Sequence, residues 1–130
     1  MFLIHSVDDG RVPSLEWHPA AAITPKVGMA LLTNAGKMAM ATGSNKPSYI
    51  CMTERSTAVA EGTMIPVIRV SPDIVFETVF NASAAGVKFG DKVTIASDGL
   101  RVTATTTNGI AEVVSLDGNL NGSKLRVRFV

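Results

Sequence analysis

The chain is poor in the groups that do chemistry. It has one cysteine, Cys51, and a single thiol excludes a disulfide framework. Cys51 lies in the apolar run Tyr49-Ile50-Cys51-Met52, where an inert buried thiol is the expected state. There are two histidines, His5 and His18, thirteen residues apart. With no Cys or further His beside them they do not make a metal-ligand spacing. Aromatic residues are 5% of the chain. Carbohydrate- and peptide-binding β-modules display exposed aromatics, and only Trp17 and Tyr49 fit that role here. Charged residues are 18%, and the net charge is +1. That argues against nucleic-acid binding, which needs a basic patch to displace phosphate counterions. It also leaves little repulsion between copies, so assemblies form easily. No apolar run approaches membrane-spanning length. Met1-Phe2-Leu3-Ile4 is apolar, but His5 and Asp8-Asp9 end it far short of a secretory h-region. The chain is therefore expected to be made in a cytoplasm.

What is present is strand pattern. A length of 130 residues suits one domain with a real core. Residues 1–25 stand apart, with Pro13, Pro19 and Pro25 recurring every six residues. Proline fixes φ and removes a donor, so this segment is expected to be an extended arm or an edge, outside the central sheet. Residues 26–130 are expected to form a single β domain. Its predicted strands are 27–32, 37–41, 48–53, 64–70, 74–81, 93–96, 100–106, 111–116 and 124–130. Pro66 marks the strand over 64–70 as an edge or a bulge. In 74–81, Ile74, Phe76, Thr78 and Phe80 fall on one face. Asp98-Gly99, Asn108-Gly109, Asp117-Gly118 and Asn121-Gly122 are turn dipeptides that supply positive φ cheaply. Helical turns are conceivable only near 55–60 and 83–85. Lys124, Arg126 and Arg128 alternate along the last strand, as a solvent face does.

The chain also echoes itself. Lys26 to Gly43 and Lys88 to Gly109 both open with Lys, an apolar residue and Gly. Both continue through a strand, a Gly turn and a second strand. Gly62 is followed by Ile65, Val67 and Arg69; Gly122 is followed by Leu125, Val127 and Phe129. Two similar halves are implied, each too small to bury its own apolar face. The expected fold is all-β: a small β-barrel or β-clip-like domain built from two similar halves, with an extended N-terminal arm.

Motifs for catalysis do not emerge. Asp8-Asp9-Gly10 starts like a calcium loop, but no ligand ladder or bidentate Glu follows, and a turn is the simpler reading. No Gly-x-Ser-x-Gly elbow is present, and the glycines form no phosphate cradle. Asp73 and Glu77 have no evident cleft to share. No catalytic residue, cofactor or metal is expected. Trp17, in an extended segment beside Pro19, suits either a docking anchor or a lid over the open end of a barrel.

The runs Trp17 to Leu31, Gly36-Lys37-Met38-Ala39 and Lys46 to Ile50 resemble small proteins of tailed phages and prophages, encoded near the major capsid protein. Gly62 to Val70 and Gly109 to Val114 continue the likeness, which covers nearly the whole chain. The order of elements is also similar to that of head decoration proteins of the lambda type. The resemblance implies a decoration (cement) protein on the outer surface of the mature head. It implies a homotrimer at local three-fold points that binds the major capsid protein, with the virion as its final location. The same likeness places the capsid contacts in the arm, at Phe2, Leu3, Ile4, Val12, Trp17 and His18. The chain departs from the lambda type in length and in its apolar start, which suggests a strand added to a neighbour. Two other readings stay open: a head-fibre or tail module of the virion, and a β-barrel carbohydrate- or peptide-binding module.

Overall fold

The computed structural model describes residues 1–130. Ten strands form in chain order: β1 (Leu3–Val7), β2 (Leu15–Pro19), β3 (Ala30–Asn34), β4 (Lys37–Met40), β5 (Tyr49–Cys51), β6 (Met64–Arg69), β7 (Ile74–Val79), β8 (Lys92–Val93), β9 (Ala111–Leu116) and β10 (Lys124–Phe129). The protein is all-β. The stretches near 55–60 and 83–85 are turns and bends, and no helix is long and apolar enough to cross a membrane.

The strands make two five-stranded antiparallel sheets, ordered β1-β7-β10-β9-β8 and β2-β6-β5-β3-β4. Neither closes into the expected barrel. Each curls back on itself at a single bridge: Ala20, just past β2, meets Met38 of β4 in one half, and Phe80, just past β7, meets Val102 in the other. One bridge is not a ladder, so distinct sheet edges remain.

The two sheets repeat each other in order and register. β2, β6, β5 and β3 correspond to β7, β10, β9 and β8. Trp17 pairs with Pro66 as Glu77 pairs with Arg126, and Ile50 pairs with Ile68 as Glu112 pairs with Arg128. Loop hydrogen bonds repeat as well. Ala20 N–H donates to Thr63 O at 2.8 Å, and Phe80 N–H to Ser123 O at 3.1 Å. Gly28 N–H donates to Cys51 O at 2.8 Å, and Gly90 N–H to Val113 O at 2.9 Å. Gly28, Gly62, Gly90 and Gly122 all have positive φ, the conformation that glycine adopts without a Cβ penalty.

The cores match too. The smaller cluster holds Ala20, Leu31, Met38, Tyr49, Cys51, Ile65 and Val67. Their counterparts Phe80, Val93, Val102, Ala111, Val113, Leu125 and Val127 all lie in the larger cluster. Bulk is exchanged between equivalent sites: Ala20 with Tyr49 in one half, Phe80 with Ala111 in the other. Total volume is thereby kept, which is the condition a close-packed interior imposes. The larger cluster also takes in Phe2, Ala30, Ile50, Ile68, Ile74 and Phe129, which join the halves.

One expectation is narrowed and one needs correction. Residues 1–25 are extended and take the edge alternative, not that of an arm: β1 lies on β7 and β2 lies on β6, each at the edge of its sheet. The cause is Phe2, which is 1% exposed. Its ring packs edge-on against Phe129 at 5.2 Å, and its N–H donates to Gly28 O at 2.8 Å. The second concerns β6, which is interior, between β2 and β5. Pro66 falls opposite Met52, one step past the end of the β5 ladder at Cys51 and Val67. Its carbonyl accepts from Met52 N–H at 3.0 Å, and the return bond that its N–H would have made is the one bond given up, at the end of the ladder where the loss is smallest.

Candidate docking surface

Strand alternation and pairing decide which side chains share a face. Leu15, Trp17 and Pro19 of β2 stand opposite Ile68, Pro66 and Met64 of β6, so all six project from one side of the second sheet. Ile50, paired with Ile68, lies on that side too, as does Met52 two residues on. Near Ile50 and Ile68 this face is covered, and both are buried. Farther along it is open. Leu15 is 56% exposed, Trp17 58%, Met64 51% and Met52 40%. Met52 also borders an apolar groove of about 230 Å³, whose other wall is Leu3 and Ile4 of β1. The result is one apolar strip from β1 across β6 to the edge strand β2. Five of the twelve large hydrophobic side chains exposed on the molecule belong to it: Ile4, Leu15, Trp17, Met52 and Met64.

The opposite side of β2 is polar. Glu16 accepts from Arg69 Nη2 at 2.9 Å and Nε at 3.1 Å, a two-pronged contact. His18 Nε2 stands 3.0 Å from the same carboxylate. The His18 ring packs on Tyr49 at 5.1 Å, and the Arg69 guanidinium sits over that ring, also at 5.1 Å. Hydrogen bonds from His18 and then Arg69 hold the Glu16 carboxyl below its ordinary value, and Glu16 in turn raises the Arg69 guanidinium. In the other half, Phe76 and Phe129 occupy the positions of Glu16 and Arg69, with ring centroids 5.6 Å apart. A buried aromatic pair in one half is thus an ion pair at the surface in the other.

The residues singled out from sequence are dispersed by this geometry. Ile4 and Trp17 come together on the strip, while Leu3, next to Ile4 on β1, takes the opposite face beside Glu77 and only borders the groove. Phe2 is buried and available to no partner. Val12 is 87% exposed on the 8–14 loop, at the rim of a separate depression of about 240 Å³ that Glu16 and Arg69 also line. His18 is half-buried on the polar side of β2. Sequence reasoning passed over Leu15, Met52 and Met64. Only the Leu-x-Trp alternation hinted at Leu15; Met52 and Met64 became neighbours of Trp17 through pairing between distant strands.

Elsewhere, no three His, Cys, Asp or Glu side chains cluster as metal ligands do. Cys51 is fully buried, and burial pushes its thiol up. Arg126 and Arg128 are engaged with Asp117 and Asp8. Compared with known proteins, no family model matches the chain and no curated protein is significantly similar to it.

Proposed function

We propose that this protein is a non-enzymatic structural component of a tailed-phage virion. In this reading it decorates the outer surface of the mature head, binds the major capsid protein and stabilises the shell. The likeness of its sequence runs to small phage and prophage proteins supports that assignment. The exposed apolar strip is the observation that carries it. Patches of this kind on a low-charge body mark protein-protein contact sites, and a Trp at the centre of one suits an anchor. The polar cluster beside it favours structure over catalysis, because both oxygens of Glu16 are already engaged by Arg69. The contact residues are Ile4, Leu15, Trp17, Met52 and Met64, on the folded body. A homotrimer is the assembly that this function favours. Weak single contacts then add through high effective concentration once the first has formed.

The test is co-sedimentation with expanded and with unexpanded heads of the parent phage. Binding is expected to expanded heads alone, and Trp17→Ala should weaken each contact by about 2 kcal/mol, or ~30-fold, without lowering the melting temperature. Equal binding to both kinds of head, or to neither, overturns the proposal. Gold-labelled protein found on the tail in micrographs would transfer the function to a tail module.

A further inference from the structure

Each half turns the chain through a Lys-apolar-Gly corner, and only one of the two corners is covered. At Lys26-Val27-Gly28, Met29 N–H donates to Lys26 O at 3.1 Å, Gly28 N–H to Cys51 O at 2.8 Å and Cys51 N–H to Met29 O at 2.9 Å. At Lys88-Phe89-Gly90 the same bonds recur: Asp91 N–H to Lys88 O at 3.0 Å, Gly90 N–H to Val113 O at 2.9 Å and Val113 N–H to Asp91 O at 2.8 Å. The two glycines have φ of 81° and 89°. The corners therefore share one backbone shape.

What lies on them differs. Over the first corner runs the start of the chain. Phe2 N–H donates to Gly28 O at 2.8 Å, and a Cβ on Gly28 would lie 2.5 Å from Met1 Cβ. Val27 there lines the apolar groove together with Phe2 and Ile4. Over the second corner this chain places nothing. A Cβ on Gly90 would meet no atom within 4 Å, and no backbone N–H reaches the Gly90 carbonyl. Phe89 is 77% exposed, whereas the other four phenylalanines are each 1% exposed or less. A lone exposed apolar side chain is ordinary on a protein surface. This one coincides with a free carbonyl and an empty shelf whose twin is filled.

We propose that the Lys88–Gly90 corner is a second docking point, which takes an extended segment of a partner polypeptide as the Gly28 corner takes Met1 and Phe2. A backbone N–H of that segment donates to the Gly90 carbonyl, and an adjacent apolar side chain packs on Phe89. This rests on the decoration reading, in which the partner is the major capsid protein. A second copy of this chain does not fit the role, because its own Phe2 is buried and holds its Met1–Ile4 in place. The surroundings narrow the chemistry of the segment. Ile50, Met52 and Ile68 stand beside the first corner; their counterparts at the second are Glu112, Val114 and Arg128. Arg128 is held by Asp8, and Lys92 pairs opposite Glu112. The segment that fits carries one large apolar side chain, over Phe89 and Val114, between polar neighbours that meet Glu112 and Lys92. The corner is set before anything binds: Lys88 N–H donates to Asp91 Oδ2 at 2.9 Å, so little ordering is needed on association.

Photo-cross-linking on expanded heads of the parent phage tests the occupant. Phe89→p-benzoylphenylalanine, irradiated on the heads, should give a covalent adduct with one capsid subunit. Digestion should place the link in an extended segment with a single apolar residue between polar ones. Phe89→Ser should weaken head binding at least about tenfold, the lower end for burying one Phe side chain, with an unchanged melting temperature. Leu120→Ser removes another exposed apolar side chain, 67% exposed on the turn between β9 and β10, and should change affinity by less than about twofold. The corner and the apolar strip share no residue, so Phe89→Ser combined with Trp17→Ala should lose the product of the two separate factors. Heads that still bind while Phe89→Ser has full affinity, or while the link falls on a second copy of this chain or on a helix of the capsid subunit, overturn this proposal and leave the decoration reading standing. Heads that do not bind the unsubstituted protein overturn both.

Discussion

Phe2 separates a docking arm from a structural strand. Its ring is 1% exposed and meets Phe129 edge-on at 5.2 Å, and Phe129 in turn meets Phe76 at 5.6 Å. Truncating it removes one end of this aromatic row and leaves a hole among side chains fixed by both sheets. Phe→Ala changes in such settings cost about 3–5 kcal/mol. For a chain of this length the unfolding entropy is roughly 0.27 kcal/mol/K, so the melting temperature should fall by about 10–18 °C. β1 should loosen first, because the Phe2 N–H bond to Gly28 and the ring are what seat the chain start beside it. Calorimetry of Phe2→Ala measures the first effect, and hydrogen exchange at Leu3–Val7 measures the second. Leu3→Ser and Ile4→Ser, on exposed positions of the same strand, are the controls and should stay within about 0.5 kcal/mol. An unchanged melting temperature in Phe2→Ala would refute the packing argument and return the first residues to the status of a free arm.

Three further outcomes follow from the same packing and charge. Gly28 has φ of +81°, and an added Cβ would lie 2.5 Å from Met1 Cβ and 2.9 Å from Phe2 N. Gly28→Ala should therefore destabilise by about 1–3 kcal/mol and release β1, read as faster proteolysis near the N-terminus. Acid should also weaken the fold. Hydrogen bonds to basic partners hold the carboxyls of Asp8, Glu16, Glu61 and Asp117 below their ordinary values. Their contribution is present above the unfolded-state values near 3.8 and 4.5 and is lost as pH falls through the lower folded-state values. Melting temperature should be flat from neutrality to about pH 5 and then decline, with a shallower decline in Arg69→Gln; an acid limb unchanged in that variant would count against the Glu16 pairing. Finally, Cys51 should react with a thiol reagent only at the rate of opening, since burial pushes its thiol up and shields it; rapid labelling of the native protein would contradict the packed second core.

The sequence made the all-β class legible because the period of two is local and turns are marked by their own residues. The repeat was legible for a related reason. The positive-φ glycines at 28, 62, 90 and 122 recur at places where only glycine is comfortable, so their spacing survived while the strands between them diverged. The fate of residues 1–25 was not legible. Proline spacing reports extended chain, but whether an extended chain lies free or at a sheet edge depends on the partner strand, and β1 meets β7 seventy residues later. Pro66 misled for a related reason: it costs one bond at the end of the β5 pairing, and β6 still has a strand on each side. Of the candidate site, Trp17 was visible as a lone large aromatic in a polar-flanked strand. Met52 and Met64 were not, because a methionine in a strand carries no mark of which face it will take.

The differences between the halves explain where the open surface lies. Wherever the first sheet and its curl are finished, an apolar or covering group stands: β1 over the edge of β7, Phe76 and Phe129 inside. At the equivalent places in the second sheet stand an edge met only at its end, by Met38 of β4, and Glu16 and Arg69. These departures are not scattered. All fall on β2 or its partner β6, beside Leu15 and Trp17. In the half that holds the larger core β7 is sealed, and in the other β2 keeps Leu15 and Trp17 unsealed, polar on one face and apolar on the other. The stable half can then supply the cooperativity that fixes β2 in place, while β2 itself loses little stability by staying exposed. The bidentate Arg69–Glu16 contact holds that strand straight from below without hydrophobic cover. A rigid, pre-shaped edge loses less conformational entropy on association than a flexible arm would, which makes β2 a better contact element folded than free.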